Sequence, residues 1–177
     1  MEVQARSKKR RLKKWVRMVI GGAIVVGLFL GVTILTNLFF NDPMSAENTE
    51  ASKALDDIGK LKKNGDESPK VSVTWTEDEV IEMMHQMTHQ KVVADTKWGS
   101  IEMTPERVKT LIDVVETEEY PHSDELLEIL KRWDKGDFSQ VDDDHNTLWT
   151  IQGGTIGYAT GILSEEEEAE FIKHNFR

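Results

Sequence analysis

The 177-residue chain contains no cysteine. That absence excludes disulfide frameworks, Cys-ligated zinc, iron–sulfur clusters, thiol nucleophiles and a lipoprotein anchor. Hydrophobic residues make up 38% of the chain, below an ordinary globular composition and far below that of a polytopic membrane protein. Positive charge is also in deficit. There are 22 Lys and Arg against 32 Asp and Glu, a net charge of −10 that argues against a general nucleic-acid binder. Catalytic signatures are equally scarce. The single Gly-rich run, Gly153 to Gly161, lacks both the GK[ST] ending of a phosphate loop and the serine of a GxSxG elbow.

The average charge hides a steep partition. Residues 1–17 carry eight basic side chains and one acid, residues 18–40 carry no charge, and residues 71–177 hold 24 acids and nine bases. As a helix the uncharged stretch from Met18 to Phe40 would extend about 34 Å, enough to cross a hydrocarbon core of about 30 Å. Fourteen of its residues are Val, Ile, Leu or Phe, and it lacks the polar stripe of a buried soluble helix. It is expected to be a transmembrane helix in the lipid bilayer. It is too long for the core of a secretory signal, and Met44-Ser45-Ala46 is a poor cleavage site, so an uncleaved signal anchor is favoured. The positive-inside rule then places residues 1–17 in the cytoplasm and the acidic remainder outside the cell membrane. The basic residues between 6 and 17 serve first as the topology signal, and their position beside the span would also let them meet anionic lipid headgroups. Gly27 and Gly31 form a GxxxG pair, the sole sequence support for a dimer.

Residues 41–70 are polar and punctuated by Pro43, Gly65 and Pro69, a tether composition too poor in apolar surface to fold alone. Ala51, Leu55, Ile58 and Leu61 fall at helical spacing, which allows a short transient helix. The folded domain is expected at residues 71–177, where four of the five tryptophans and all five histidines lie. Thr76 with Glu79 and Ser164 with Glu167 form capping boxes, and Thr104-Pro105 sets a cap before a first-turn proline. Apolar stripes follow: Val80, Met83, Met84 and Met87; Val108, Leu111, Ile112 and Val115; Leu126, Leu127, Leu130 and Trp133; then Ala169, Phe171 and Ile172. Ser123 opens the third of these segments, Lys135-Gly136-Asp137 stops it, and Ser139 is placed to cap a fourth towards Trp149. Strand signals are confined to Val71–Trp75 and Lys91–Ala94. The expected fold is all-α, a small domain of about five helices behind a tether and an N-terminal span.

Three motifs bear on chemistry. In His85-Gln86-Met87-Thr88-His89 two imidazoles stand four residues apart on one helical face, the spacing by which HExxH metalloproteases hold zinc. Gln86 occupies the place of the catalytic Glu, and a neutral amide cannot take a proton from metal-bound water, so protease chemistry of that type is excluded. A metal site with His145 as third ligand remains open beside the plainer reading of an exposed or hydrogen-bonded pair. Asp142-Asp143-Asp144 would suit a hard cation, but the surrounding spacing makes no EF-hand, and a solvated first helical turn explains the acids. Gly153, Gly157 and Gly161 recur every fourth residue, either in a tight loop with positive φ or on the small face of a helix. Ile156 and Ile162 flanking that face favour close helix packing.

The runs His89-Gln90-Lys91-Val92, Lys97-Trp98-Gly99, Arg132 to Ser139 (RWDKGDFS), Asp144-His145-Asn146 and Gln152 to Gly157 (QGGTIG) resemble a family of uncharacterised single-span proteins of Bacillus-type bacteria, a domain of unknown function. The resemblance covers about residues 75–177 and implies an anchored outer helical domain without bringing an activity. No coherent catalytic set stands out and no cofactor is indicated. The leading expectation is therefore a non-catalytic, membrane-anchored interaction or accessory domain with an unknown protein partner outside. The alternative is a metal-binding sensor or metal-dependent enzyme using His85, His89 and His145.

Overall fold

A computed structural model describes residues 47–63 and 75–177. The basic segment, the expected span at 18–40 and the Gly27/Gly31 pair lie outside the described residues. Among the described residues, no helix is long and apolar enough to cross a membrane. Six helices and one two-stranded ribbon are present there, in agreement with an all-α domain. In chain order they are α1 (Thr49–Lys63), α2 (Glu77–Thr88), β1 (Val92–Val93), α3 (Pro105–Thr117), α4 (Ser123–Asp134), α5 (Val141–Ile151), β2 (Gly161–Ile162) and α6 (Glu165–Phe176).

The helix starts follow from local hydrogen bonding. The Thr76 hydroxyl accepts from the Glu79 amide while the Glu79 carboxylate accepts from the Thr76 amide, and Ser164 and Glu167 repeat this reciprocal pair at α6. Thr104 caps α3 ahead of Pro105. At the other end of α4 the chain turns at Gly136 with φ of 73°. One expected cap is absent. Ser139 donates its hydroxyl to Asp137 at 2.7 Å, and α5 begins at Val141 without a side-chain cap.

The predicted stripe of α2 is wholly buried, joined by Ile81, and meets Leu111 and Val115 of α3, Leu126 and Leu130 of α4 and Leu148 of α5 in one core. Three packed pairs organise it: α3 on α4, α2 on α5, and α1 on α3. A smaller cluster of Val92, Val141 and Ala159 lies under the ribbon, where Val92 pairs with Ile162 and Val93 with Gly161 in antiparallel register. The strand expected around Lys91–Ala94 is thus β1. Trp75, at the end of the other expected strand, is not in one, and Val71–Thr74 lie outside the described residues.

Two expectations are corrected. Part of the expected tether, Thr49–Lys63, is a helix docked on the domain expected from Val71. Leu55 of α1 is fully buried in the main core and Ala51 packs beside it. Before the helix, the Asn48 amide donates to the Ser100 carbonyl at 2.6 Å. Across from α1, the Arg107 guanidinium grips both oxygens of Asp56, at 2.8 and 3.0 Å. Composition counts only a segment's own apolar surface. Here one leucine and one bidentate ion pair dock the helix on a core built by the rest of the chain. The Gly-rich run is the second correction, because it forms a loop and not a close-packed helix. Gly153 and Gly157 adopt φ of 68° and 88°, in the left-handed region that other residues avoid. Close approach does occur within that loop, since a Cβ on Gly154 would lie 2.3 Å from the Trp149 ring.

The docking of α1 has a pH signature. The hydrogen bond from Arg107 holds the Asp56 carboxyl below its ordinary value. Such an acid adds stability that is complete above its unfolded value, about 3.9, and is lost as pH falls through its lower folded value. Wild type should therefore lose more stability between pH 6 and pH 3 than Asp56→Asn does, measured by urea unfolding of the full chain. Equal losses in the two proteins would contradict the docking.

Candidate metal centre

Helix α2 carries its buried methionines on one side and presents Glu82, His85 and His89 along an adjoining line of its surface, at i, i+3 and i+7. Packing of α5 against α2 brings His145 to the same place. The His85 and His145 rings meet edge to face with centroids 4.4 Å apart, and His85 and His89 do so at 4.9 Å. One ligand nitrogen from each of the three histidines lies within 4.8 Å of the others. All three sequence candidates are therefore gathered at one point, with His89 and His145 buried and His85 partly so.

In each ring Nδ1 has a carbonyl oxygen as its partner. His89 donates through Nδ1 to the Gly99 carbonyl at 2.7 Å, an acceptor with no proton to return. For His145 the partner of Nδ1 is Asn146 Oδ1 at 3.3 Å. The Asn146 amide cannot turn over, because its Nδ2 donates to the Ala159 carbonyl at 3.0 Å and its Oδ1 accepts the Ala159 amide at 2.8 Å. For His85 the partner of Nδ1 is Gln152 Oε1 at 2.5 Å, and Gln152 is oriented by donating its Nε2 to Glu82 at 2.6 Å. With its Nε2 on Glu82, Gln152 turns its oxygen to the imidazole. With Nδ1 as the donor to these oxygens, a neutral ring carries its lone pair on Nε2. His85 Nε2 and His145 Nε2 stand 3.0 Å apart.

A proton between these nitrogens is disfavoured. Burial pushes the His85 imidazolium down despite Gln152 and Glu82. Burial, then the charge of His85, pushes His89 well below the ordinary imidazole value and His145 to about 3. Lys97 adds to this, since both rings feel its charge. This lysine is itself buried, its ammonium 4.8 Å from the centre of the Phe171 ring, and burial lowers it to about 8.

Around the cluster, His85 and His89 form part of the wall of a cleft of about 350 Å³ shared with Glu82, Trp98, Trp149, Gln152 and the Gly153–Gly157 loop. The loop is pinned from beneath, as Trp149 donates its indole N–H to the Ile156 carbonyl at 2.8 Å and meets Tyr158 edge to face. Gln86, the residue standing where a metalloprotease has its Glu, is buried and does not line this cleft. Its amide donates to Glu82 and accepts from Asn48.

The triple aspartate does form the first turn of α5, as expected, but Asp144 departs from the solvated reading. It is buried, accepting from the Trp133 indole at 2.8 Å and pairing with Arg132. That anchor fixes the backbone immediately before His145. Sequence reasoning did not find Asp144, Glu82, Asn146 or Gln152 as supporting groups. The available signals were the placement of Asn146 directly after His145 and of Glu82 one turn before His85.

The model of a family of unknown function, DUF6241, matches residues 84–173, just over half of the chain. No curated protein and no solved structure matches the chain significantly.

The Asp144 anchor makes a quantitative expectation. Breaking a fully buried ion pair costs about 3–5 kcal/mol. The Arg132 side chain retains 20% of its exposure, so Asp144→Ala should cost less, about 2–3 kcal/mol. Urea unfolding followed by tryptophan fluorescence reads this directly, and a change below about 0.5 kcal/mol, the level of an ordinary surface substitution, would contradict the anchor.

Proposed function

The chain belongs to a family of unknown function, which brings no activity with it, and we propose that its domain is a metal-binding module that holds one zinc ion through His85, His89 and His145. One observation carries this reading: one ligand nitrogen from each of the three imidazoles lies within 4.8 Å of the others, while each Nδ1 has a carbonyl oxygen as its partner. Outer partners of this kind orient metal-ligating histidines and raise their basicity. Imidazole nitrogens suit zinc, and tetrahedral zinc with bonds of about 2.0–2.1 Å separates its nitrogens by about 3.4 Å. The nitrogens of the cluster, 3.0 Å apart at the His85–His145 pair and within 4.8 Å overall, bracket that spacing. Small side-chain rotations would complete the site.

The same proposal places the module outside the cell on a single-span anchor at residues 18–40. Support for this is the charge asymmetry around an uncharged 23-residue stretch. A metal-free interaction domain is the second reading. It is favoured by the exposure of Trp98 and Ile156 in the cleft wall and of Tyr158 and Ile162 elsewhere, on a surface whose negative charge suits cationic or neutral protein partners.

Titration of the purified full chain with zinc should show one ion per chain. His145→Ala should weaken binding by at least 100-fold, and Gln152→Ala by about 10–100-fold through loss of outer-shell support. Absence of stoichiometric zinc, or unchanged affinity in His145→Ala, would refute the metal reading. A reporter fused after Arg177 should be active only outside the cytoplasm, and activity confined to the cytoplasm would refute the topology.

A further inference from the structure

Helix α1 takes its main packing from α3, and just ahead of it Asn48 donates its side-chain amide to Gln86 of α2 at 3.2 Å. Between the first turns of α1 and α2 this leaves a groove of about 550 Å³, within the ordinary range of ligand sites. Its apolar lining comes from Ala51 and Ala54 on one side and Trp75 and Met83 on the other. The two alanines are small, which keeps the α1 side open. Trp75 is fixed in place, because the Tyr120 hydroxyl donates to its carbonyl at 2.6 Å and its ring packs against the main core. Four carboxylates complete the lining, those of Glu50, Asp78, Glu79 and Glu82, and no Lys or Arg among the described residues joins them. Among the described residues none of the four is paired with a cation. Glu79 and Glu82 accept hydrogen bonds from neutral groups, on Thr76, Gln86 and Gln152, which leave their charge uncompensated.

An apolar groove with an indole ring and unpaired carboxylates suits Lys and Arg side chains. Their methylene stems lie on apolar surface, while their cationic heads meet the ring and the acids. Residues 64–74, which join α1 to Trp75, have the wrong charge for this groove, with two acids and one lysine. Residues 1–17 have the right charge, but the proposed topology puts them across the membrane. We propose that the groove between α1 and α2 is the docking site for a Lys/Arg-rich segment of a partner protein, anchored by an apolar side chain between the alanines and Met83. The proposal rests on the topology solely in choosing a separate protein over the chain's own basic segment. It is independent of zinc, since none of the three clustered histidines lines the groove.

The test titrates the full chain, in an uncharged detergent and without added metal, with the hexapeptide acetyl-Lys-Leu-Arg-Lys-Leu-Arg-amide. Its counterpart with Glu at every basic position is the control. Calorimetry should show one basic peptide bound per chain with Kd below about 1 mM, and no binding of the acidic one. Affinity should fall between about 0.1 M and about 1 M salt, as the screening length shrinks from about 10 Å to about 3 Å. Glu50→Gln combined with Asp78→Asn should weaken binding about 2–30-fold, the loss of two exposed charge contacts. Glu165→Gln combined with Glu166→Gln removes two first-turn acids from α6, outside the groove, and should leave binding unchanged. Ala54→Arg puts bulk and positive charge into the groove from a half-buried helix position, with little cost in helix propensity, and should abolish binding. Absence of saturable binding, an equal loss in the α6 pair, or wild-type affinity in Ala54→Arg would overturn the proposal. Removal of residues 2–17 should leave the affinity unchanged. Tighter binding by that shortened chain would identify its own basic segment as the occupant and overturn the separate partner.

Discussion

Two imidazole nitrogens that face each other with lone pairs repel, and the contact becomes favourable when a proton or a metal ion sits between them. In this domain the Nε2 atoms of His85 and His145 stand 3.0 Å apart, with His89 close by. The supporting hydrogen bonds remove the easy escape, which would be to change tautomer. Gly99 offers a carbonyl that can only accept, Asn146 is clamped by both backbone groups of Ala159, and Gln152 is oriented by a carboxylate. Protonation is opposed by burial and by the nearby Lys97 ammonium. Among cations, a coordinating metal forms directional bonds to these lone pairs and suits the geometry better than a shared proton.

Much of the surrounding fold serves this constraint. The methionine-rich face of α2 sets the rotation of that helix, which leaves His85 and His89 on the side that meets α5. Asp144, gripped by Trp133 and Arg132, holds the start of α5 to α4 and so sets the position of the following residue, His145. The ribbon of β1 and β2 returns the chain so that Ala159 reaches Asn146 and the glycine loop closes the cleft over Trp149. Even α1 takes part, since Asn48 ahead of it donates to Gln86, which donates in turn to Glu82. Elements far apart in the chain thus converge on one cluster through a continuous set of hydrogen bonds.

The helical skeleton was readable from local signals, because capping boxes and apolar stripes depend on residues only three or four apart. Both boxes, at Thr76 and Ser164, and the stripe on α2 occur as expected. The pairing of His85 with His89 was legible for the same reason. His145, 56 positions further on, could be named only as a candidate, since no local pattern states that α5 packs on α2. The docking of α1 was missed because its stabilisation lies in partners beyond its own composition, Arg107 and the core around Leu55. The glycine run was misread because spacing alone does not distinguish a small helical face from the positive φ of Gly153 and Gly157 or the close approach of Gly154 to the Trp149 ring. The outer-shell groups were invisible for a related reason. Glutamine and asparagine amides acquire a direction only when their own partners are known, and those partners, Glu82 and Ala159, are distant in sequence.

The most direct examination of the central claim is X-ray absorption at the zinc edge of the full chain loaded with one equivalent of metal. The account predicts a four-coordinate zinc with three imidazole nitrogens and one further oxygen or nitrogen at about 2.0–2.1 Å. A six-oxygen shell, or a signal from fewer than three imidazoles, would contradict it.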